Sequence, residues 1–175
     1  MRRPWILVML LAACGGGDAD SAAPTTTTSR PPATTTTTRP PIEGVQTFLV
    51  DAGHTLGPVT YPHVPPVGGI HHPVTMPCTY YDRPVENERA VHSLEHGAIW
   101  ITYRPDVDPA QVEVLATLAR SRNDVLVSPW PEGLPSPIVA SAWGRQLRLE
   151  SVNDPRLMEF VRLYANQGPE INARC

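Results

Sequence analysis

Apolar residues follow two rhythms in the second half of this chain, and together they predict a folded domain. From Asp108-Pro109 to about Arg122, Val112, Leu115, Leu118 and Ala119 recur at three- and four-residue spacing, which predicts a helix with one buried stripe. An aspartate followed by a proline suits its start, because the carboxylate can accept an exposed N–H and proline lacks a donor where none is needed. A second pair, Asp154-Pro155, opens another helix with Leu157, Phe160, Val161 and Tyr164 facing inward, ended by Gly168-Pro169. A short helix is predicted from Asn87 to His96, with Asn87 as cap, Glu88 at the positive end and Gly97 in the left-handed position that terminates helices. The other rhythm is that of strands. Ala98 to Tyr103 reads as a buried strand stopped by Arg104-Pro105, Val125 to Val127 as a second, and Pro137 to Trp143 with Arg145 to Glu150 as a hairpin turning near Gly144. The order predicts an α+β domain: a small antiparallel or mixed sheet with two to three helices on one face.

Upstream, both rhythms disappear. Residues 53–84 are rich in proline and glycine, with Gly57-Pro58, Pro65-Pro66 and Gly68-Gly69 among them, so a long irregular loop is expected there. Its backbone must be pinned by side chains, a disulfide or an ion, and long loops in compact domains tend to be functional. Further upstream, Gly15 to Glu43 is Gly, Ala, Thr and Pro with the runs Thr25–Thr28 and Thr34–Thr38. Too few apolar groups are present to offset the entropy of ordering, so this stretch reads as an extended tether. The start carries Met1-Arg2-Arg3, an apolar run from Trp5 to Leu11 too short to span a bilayer, and then Leu11-Ala12-Ala13-Cys14. Such a segment is similar to bacterial lipoprotein signals, which implies cleavage before Cys14, acylation of its thiol and retention on the outer face of the membrane. An ordinary secretory signal with an incidental cysteine is the alternative. The expected organisation is therefore signal 1–13, lipidated cysteine and disordered tether 14–43, and one globular domain 44–175, a size suited to a single core.

Charge narrows the choice of partner. The formal net charge of the whole chain is −3, and losing Arg2 and Arg3 with the signal takes it to −5, which argues against nucleic acid. Of the three cysteines, Cys78 and Cys175 remain if Cys14 carries lipid. In an oxidising compartment two thiols commonly pair, so a Cys78–Cys175 disulfide is expected, with Cys78 as a soft metal ligand the alternative.

The candidate chemistry lies in the histidines. All six fall between positions 54 and 96, densest in Val91-His92-Ser93-Leu94-Glu95-His96-Gly97. On a helix, residues four apart share a face at about 5 to 6 Å, so His92 and His96 could address one ion. Zinc takes three protein ligands plus water, or four, so the loop must supply partners: His71 or His72, with His63, Glu95 and Cys78 as further choices. Adjacent side chains of an extended segment point oppositely, so one of His71 and His72 is expected at the centre. Copper and zinc both suit imidazole outside the cytosol, and Met76 leans toward copper. His92-Ser93-Leu94-Glu95-His96 also fits the inverted zinc-protease pattern, but there the motif sits inside a longer helix. No Gly-x-Ser-x-Gly elbow, phosphate loop or dinucleotide fingerprint is present.

Taken in order, Pro65-Pro66-Val67-Gly68-Gly69-Ile70-His71, Val91 to Gly97, Ala142-Trp143-Gly144 and Gly168-Pro169-Glu170 resemble the uncharacterised bacterial family catalogued as domain of unknown function 3105. The resemblance spans about residues 46 to 175, implies no reaction, and draws attention to His71, His92, Glu95 and His96. This chain has His71-His72 where that family has a single histidine. Three readings follow. The first is an extracytoplasmic lipoprotein that binds a transition metal through His71, His72, His92, Glu95 and His96; the second a metal-dependent hydrolase with Glu95 as base; the third a metal-free cell-surface interaction domain whose histidines only clamp the loop.

Overall fold

The computed structural model describes residues 42–170 and Cys175; the expected signal, the lipidated Cys14 and nearly all of the expected tether lie outside them. Over the described residues the fold is α+β, with three helices, a mixed five-stranded sheet and a small two-stranded sheet. In chain order the elements are β1 (Gln46–Thr47), β2 (Ala52–His54), β3 (Gly69–His71), α1 (Asn87–Glu95), β4 (Ile99–Tyr103), α2 (Pro109–Ser121), β5 (Val125–Pro129), β6 (Ile138–Ala142), β7 (Arg145–Leu149) and α3 (Pro155–Tyr164). The large sheet runs β1-β7-β6-β4-β5. Its β4–β5 pair is parallel, with α2 supplying the crossover that such a pair needs, and its remaining pairs are antiparallel. Both Asp-Pro starts act as expected: Asp108 accepts from the Ala110 N–H and Asp154 from the Arg156 N–H, with proline next in each case.

Every residue of β4 and β6 is buried, because the sheet is covered on both faces. Ile99, Ile101 and Tyr103 face the main core with Val125 and Val127, under Leu115 and Ala119 of α2 and Leu157, Phe160 and Val161 of α3. The alternate residues Trp100 and Leu126 point the other way, against Ala90 and Leu94 of α1. The helices are thus not all on one face: α1 stands alone on the side opposite α2 and α3. Period-two alternation within β4 and β5 puts the boundary between the two clusters in the sheet itself.

Three other expectations change in detail. Asn87 is the first helical residue of α1 and Glu86 is the N-cap, without a side-chain cap bond. The last helix stops at Tyr164, before Gly168-Pro169. The region expected to be wholly irregular contains β2 and β3, which pair in parallel with His54 opposite His71. Sequence patterning missed both strands and β1, since two or three residues are too few to display an alternation. Ile42, the first of the described residues, is buried in the main core. Cys78 and Cys175 form a disulfide across 97 residues of sequence, with Cα atoms 5.4 Å apart. That engages Cys78 and ends its alternative role as a thiolate ligand. Among the described residues no helix is long and apolar enough to cross a membrane.

Candidate metal centre

Helix α1 and the small sheet bring three imidazoles and a carboxylate to one point. Parallel pairing sets His54 beside His71, with ring centroids 4.7 Å apart. From α1, His92 lies 4.8 Å from the His71 ring and 5.1 Å from the His54 ring. Glu95, one helical turn after His92, completes the group, and the four ligand atoms all lie within 4.8 Å of one another. His71, His92 and Glu95 are buried, whereas the His54 side chain is 46% exposed and opens the group to solvent. Trp143, at the turn between β6 and β7, meets the His71 ring edge-on at 5.9 Å.

Hydrogen bonds fix which ring nitrogens are available. His71 Nδ1 lies 2.8 Å from the Gly69 carbonyl and His92 Nδ1 lies 2.8 Å from the His72 carbonyl. A ring nitrogen so close to a carbonyl oxygen must carry the proton, because two acceptors would repel. In the neutral ring the Nε2 atom is then a bare lone pair. His71 Nε2 sits 3.0 Å from Glu95 Oε2, close enough for an ion pair if the ring is charged, yet among the described residues neither atom has a hydrogen-bond partner and both are fully buried. With the ring neutral these are two buried acceptors side by side, which is costly unless something positive, a proton or a metal ion, lies between them.

The segment from His92 to His96 assigns a task to each position. Ser93 Oγ donates to the Met76 carbonyl at 2.6 Å and accepts from the Met76 N–H, so it clips the loop to the helix. Leu94 belongs to the smaller core cluster. After Glu95 the helix closes with the Gly97 N–H donating to the Leu94 carbonyl and the Ala98 N–H to Ser93, a cap that requires the left-handed Gly97, at φ +88°. The C-terminal segment docks here. The Asn166 N–H donates to the Gly97 carbonyl, the Glu170 N–H donates to the Glu95 carbonyl, and a Cβ on Gly168 would overlap that same Glu95 oxygen. Gly168 is thus required for close approach, and the result is to place Glu170 Oε2 3.0 Å from His96 Nε2.

The expected ligands are therefore sorted into different places. His71, His92 and Glu95 come together. His72 does not join them: its Nδ1 accepts from the Val74 N–H within its own loop, while its carbonyl orients His92. His96 turns to Glu170 and forms a second group with it and His92. His63 lies against Phe48 with the rings tilted and their centroids 4.2 Å apart, and Met76, like Cys78, Tyr81 and Trp130, packs against the smaller core cluster. His54 was not among the expected ligands, and only its membership of the histidine-rich loop could have pointed to its place in this group.

Crowding leaves a signature on His92. Burial, then the neighbouring His96 and His71 rings, push its pKa down to about 4, partly opposed by the bond to the His72 carbonyl. An unfolded chain takes up this proton near pH 6.5 and the folded domain only near 4. Between those values the unfolded state binds more protons, so the stability of the metal-free domain falls as the pH drops through that window. Denaturant midpoints from pH 7.5 to 4 should show the fall. A His92→Asn variant, which keeps a donor near the His72 carbonyl, should show a shallower one.

No curated protein and no solved structure matches the chain. One family does, over residues 54–175, a span that starts at the exposed histidine of the group and contains all six histidines. The chain belongs to that family, described as protein of unknown function (DUF3105).

Proposed function

We propose that this domain binds one divalent transition-metal ion through His54, His71, His92 and Glu95, and that lipid on Cys14 holds it at the extracytoplasmic face of the membrane. The observation that carries the metal reading is the pair His71 Nε2 and Glu95 Oε2, buried, 3.0 Å apart and each without a hydrogen bond. Two ligands bound tetrahedrally at about 2.0 to 2.1 Å stand about 3.3 Å apart, close to that separation. Support also comes from the two Nδ1–H groups on backbone carbonyls, the usual way in which metal-binding histidines are oriented. Three nitrogens and one oxygen suit zinc, and the case for copper weakens because the Met76 thioether packs into a core cluster.

Glu95 acts here as a ligand. A hydrolytic base would stand outside the coordination sphere beside a bound water, whereas this carboxylate oxygen is a near neighbour of a ligating nitrogen. Loop clamping describes the Nδ1 atoms of His71 and His92 well, but it leaves both Nε2 atoms without a purpose.

Metal analysis of the protein purified from membranes tests this. Because affinity alone ranks copper above zinc at almost any such site, the metal should be identified in protein taken from its own compartment. About one zinc per chain is expected, lost in His71→Ala and His92→Ala, weakened in His54→Ala and retained in His72→Ala and His63→Ala. Cys14→Ser should release the protein from the membrane with its metal site intact. Retention of full metal content by His71→Ala would refute the assignment.

A further inference from the structure

His92 belongs to two sets of potential ligands at once. One is the inner set with His54, His71 and Glu95, and the other an outer set with His96 and Glu170; within each, the ligand atoms lie no more than 4.8 Å apart. Because Nδ1 is committed to the His72 carbonyl, a single ring nitrogen of His92 remains for an ion. That nitrogen has one lone pair and holds one ion at a time. The sets cannot both be filled through His92.

They also differ in access. In the inner set His71, His92 and Glu95 are all buried, whereas the Glu170 side chain is 48% exposed and that of His96 is 14% exposed. The inner set offers three nitrogens and one carboxylate; the outer offers two nitrogens and one carboxylate. With one more donor and less competition from water, the inner position is the tighter one.

We infer that the outer set, His92 with His96 and Glu170, is a loading and release station through which the ion reaches the inner site, with His92 bound throughout. This rests on the metal reading above. In the transfer, the Glu170 carboxylate and the His96 imidazole leave the ion as the Glu95 carboxylate and the His71 imidazole replace them, and His54 then adds. The ligand charge around the ion is the same before and after, so no free, unneutralised ion forms on the way. Once it has moved inward, the neutral His96 ring re-forms as its Nε2–H tautomer by proton exchange with water and donates to Glu170 Oε2, 3.0 Å away. The C-terminal segment has its own part here: it is fastened to the end of α1 through the Glu95 carbonyl, so the outer carboxylate arrives on the helix that carries the inner one.

The test is kinetic. Full-length protein is loaded with zinc, its transfer to a colorimetric chelator is followed by stopped flow, and equilibrium affinity is measured separately by competition. Glu170→Gln and His96→Gln should each slow both loading and release about tenfold, with equilibrium affinity within about threefold of wild type. The substitution at position 170 keeps the backbone bond to Glu95, so folding is preserved. Wild-type exchange rates in both variants would overturn the inference while leaving the metal reading intact. A fall of about 10- to 100-fold in equilibrium affinity would overturn it too, since that is how residues that merely support a metal site behave. Two zinc ions held tightly at once would also contradict it, and no zinc bound to wild type would remove both readings together.

Discussion

Replacing Glu95 by glutamine is expected to stabilise the metal-free domain and to deprive it of its ion. The carboxylate stands against Nε2 of His71, a lone pair when the ring is neutral, and among the described residues neither atom has a hydrogen-bond partner. An amide of the same shape removes the buried charge and supplies an N–H that can point at Nε2, worth about 1 kcal/mol as a new buried hydrogen bond. Glutamine is a poor ligand beside a carboxylate, so zinc affinity should drop more than about 100-fold, or about 2.7 kcal/mol. An ordinary buried ion pair predicts the opposite for stability, a loss of about 3 to 5 kcal/mol when one partner goes. Thermal unfolding in chelator together with zinc competition therefore decides the matter. Destabilisation of that size in Glu95→Gln would mean that His71 and Glu95 satisfy each other and need no ion. Stability given up in a metal-free site for the sake of binding is a familiar trade.

The second large effect is expected at the C-terminus. Cys175→Ser opens a loop of 97 residues, and chain-entropy arguments give up to about 4.7 kcal/mol for a closure of that length. Urea unfolding of the oxidised wild type, the reduced wild type and the Cys175→Ser and Cys78→Ser variants should find the last three similar and well below the first. A loss under about 1 kcal/mol would mean that the bridge restrains little. The consequence reaches the histidines, because Asn166 and Glu170 approach the end of α1 through backbone bonds to Gly97 and Glu95. With Cys175 released, the carboxylate of Glu170 should spend less time beside His96. Slower zinc loading is the expected outcome.

Much of the scaffold was readable from residue order, and the readable parts share a physical character. Asp108-Pro109 and Asp154-Pro155 set helix starts through contacts that reach only two residues. Gly97 ends α1 because the left-handed dihedral it adopts is a local requirement. The hairpin of β6 and β7 turns where Gly144 is, and the pairing of Cys78 with Cys175 follows from there being few thiols to choose from. The placing of α1 was not readable. Ala98 to Tyr103 looks the same whether it is covered by helices on one face and a loop on the other, or by helices on both. Only the separate packing of Trp100 and Leu126 against Ala90 and Leu94 distinguishes these cases.

The site divides along the same line. His92, Glu95 and His96 share one stretch of chain, so helical geometry alone brings them near each other, and the choice of one histidine from His71-His72 follows from the opposed directions of neighbours in an extended segment. Which of the two faces inward depended on a partner strand. His71 enters the site because β3 pairs with β2, and the same pairing recruits His54, seventeen residues away and unmarked by any motif. His96 left the group for a carboxylate that arrives from the far end of the chain. Contacts within a few residues are set by dihedral preference and side-chain spacing, and so are written locally. Contacts between distant segments depend on how whole surfaces fit, and three-residue strands or a docking tail carry no periodic signal that announces where they will settle.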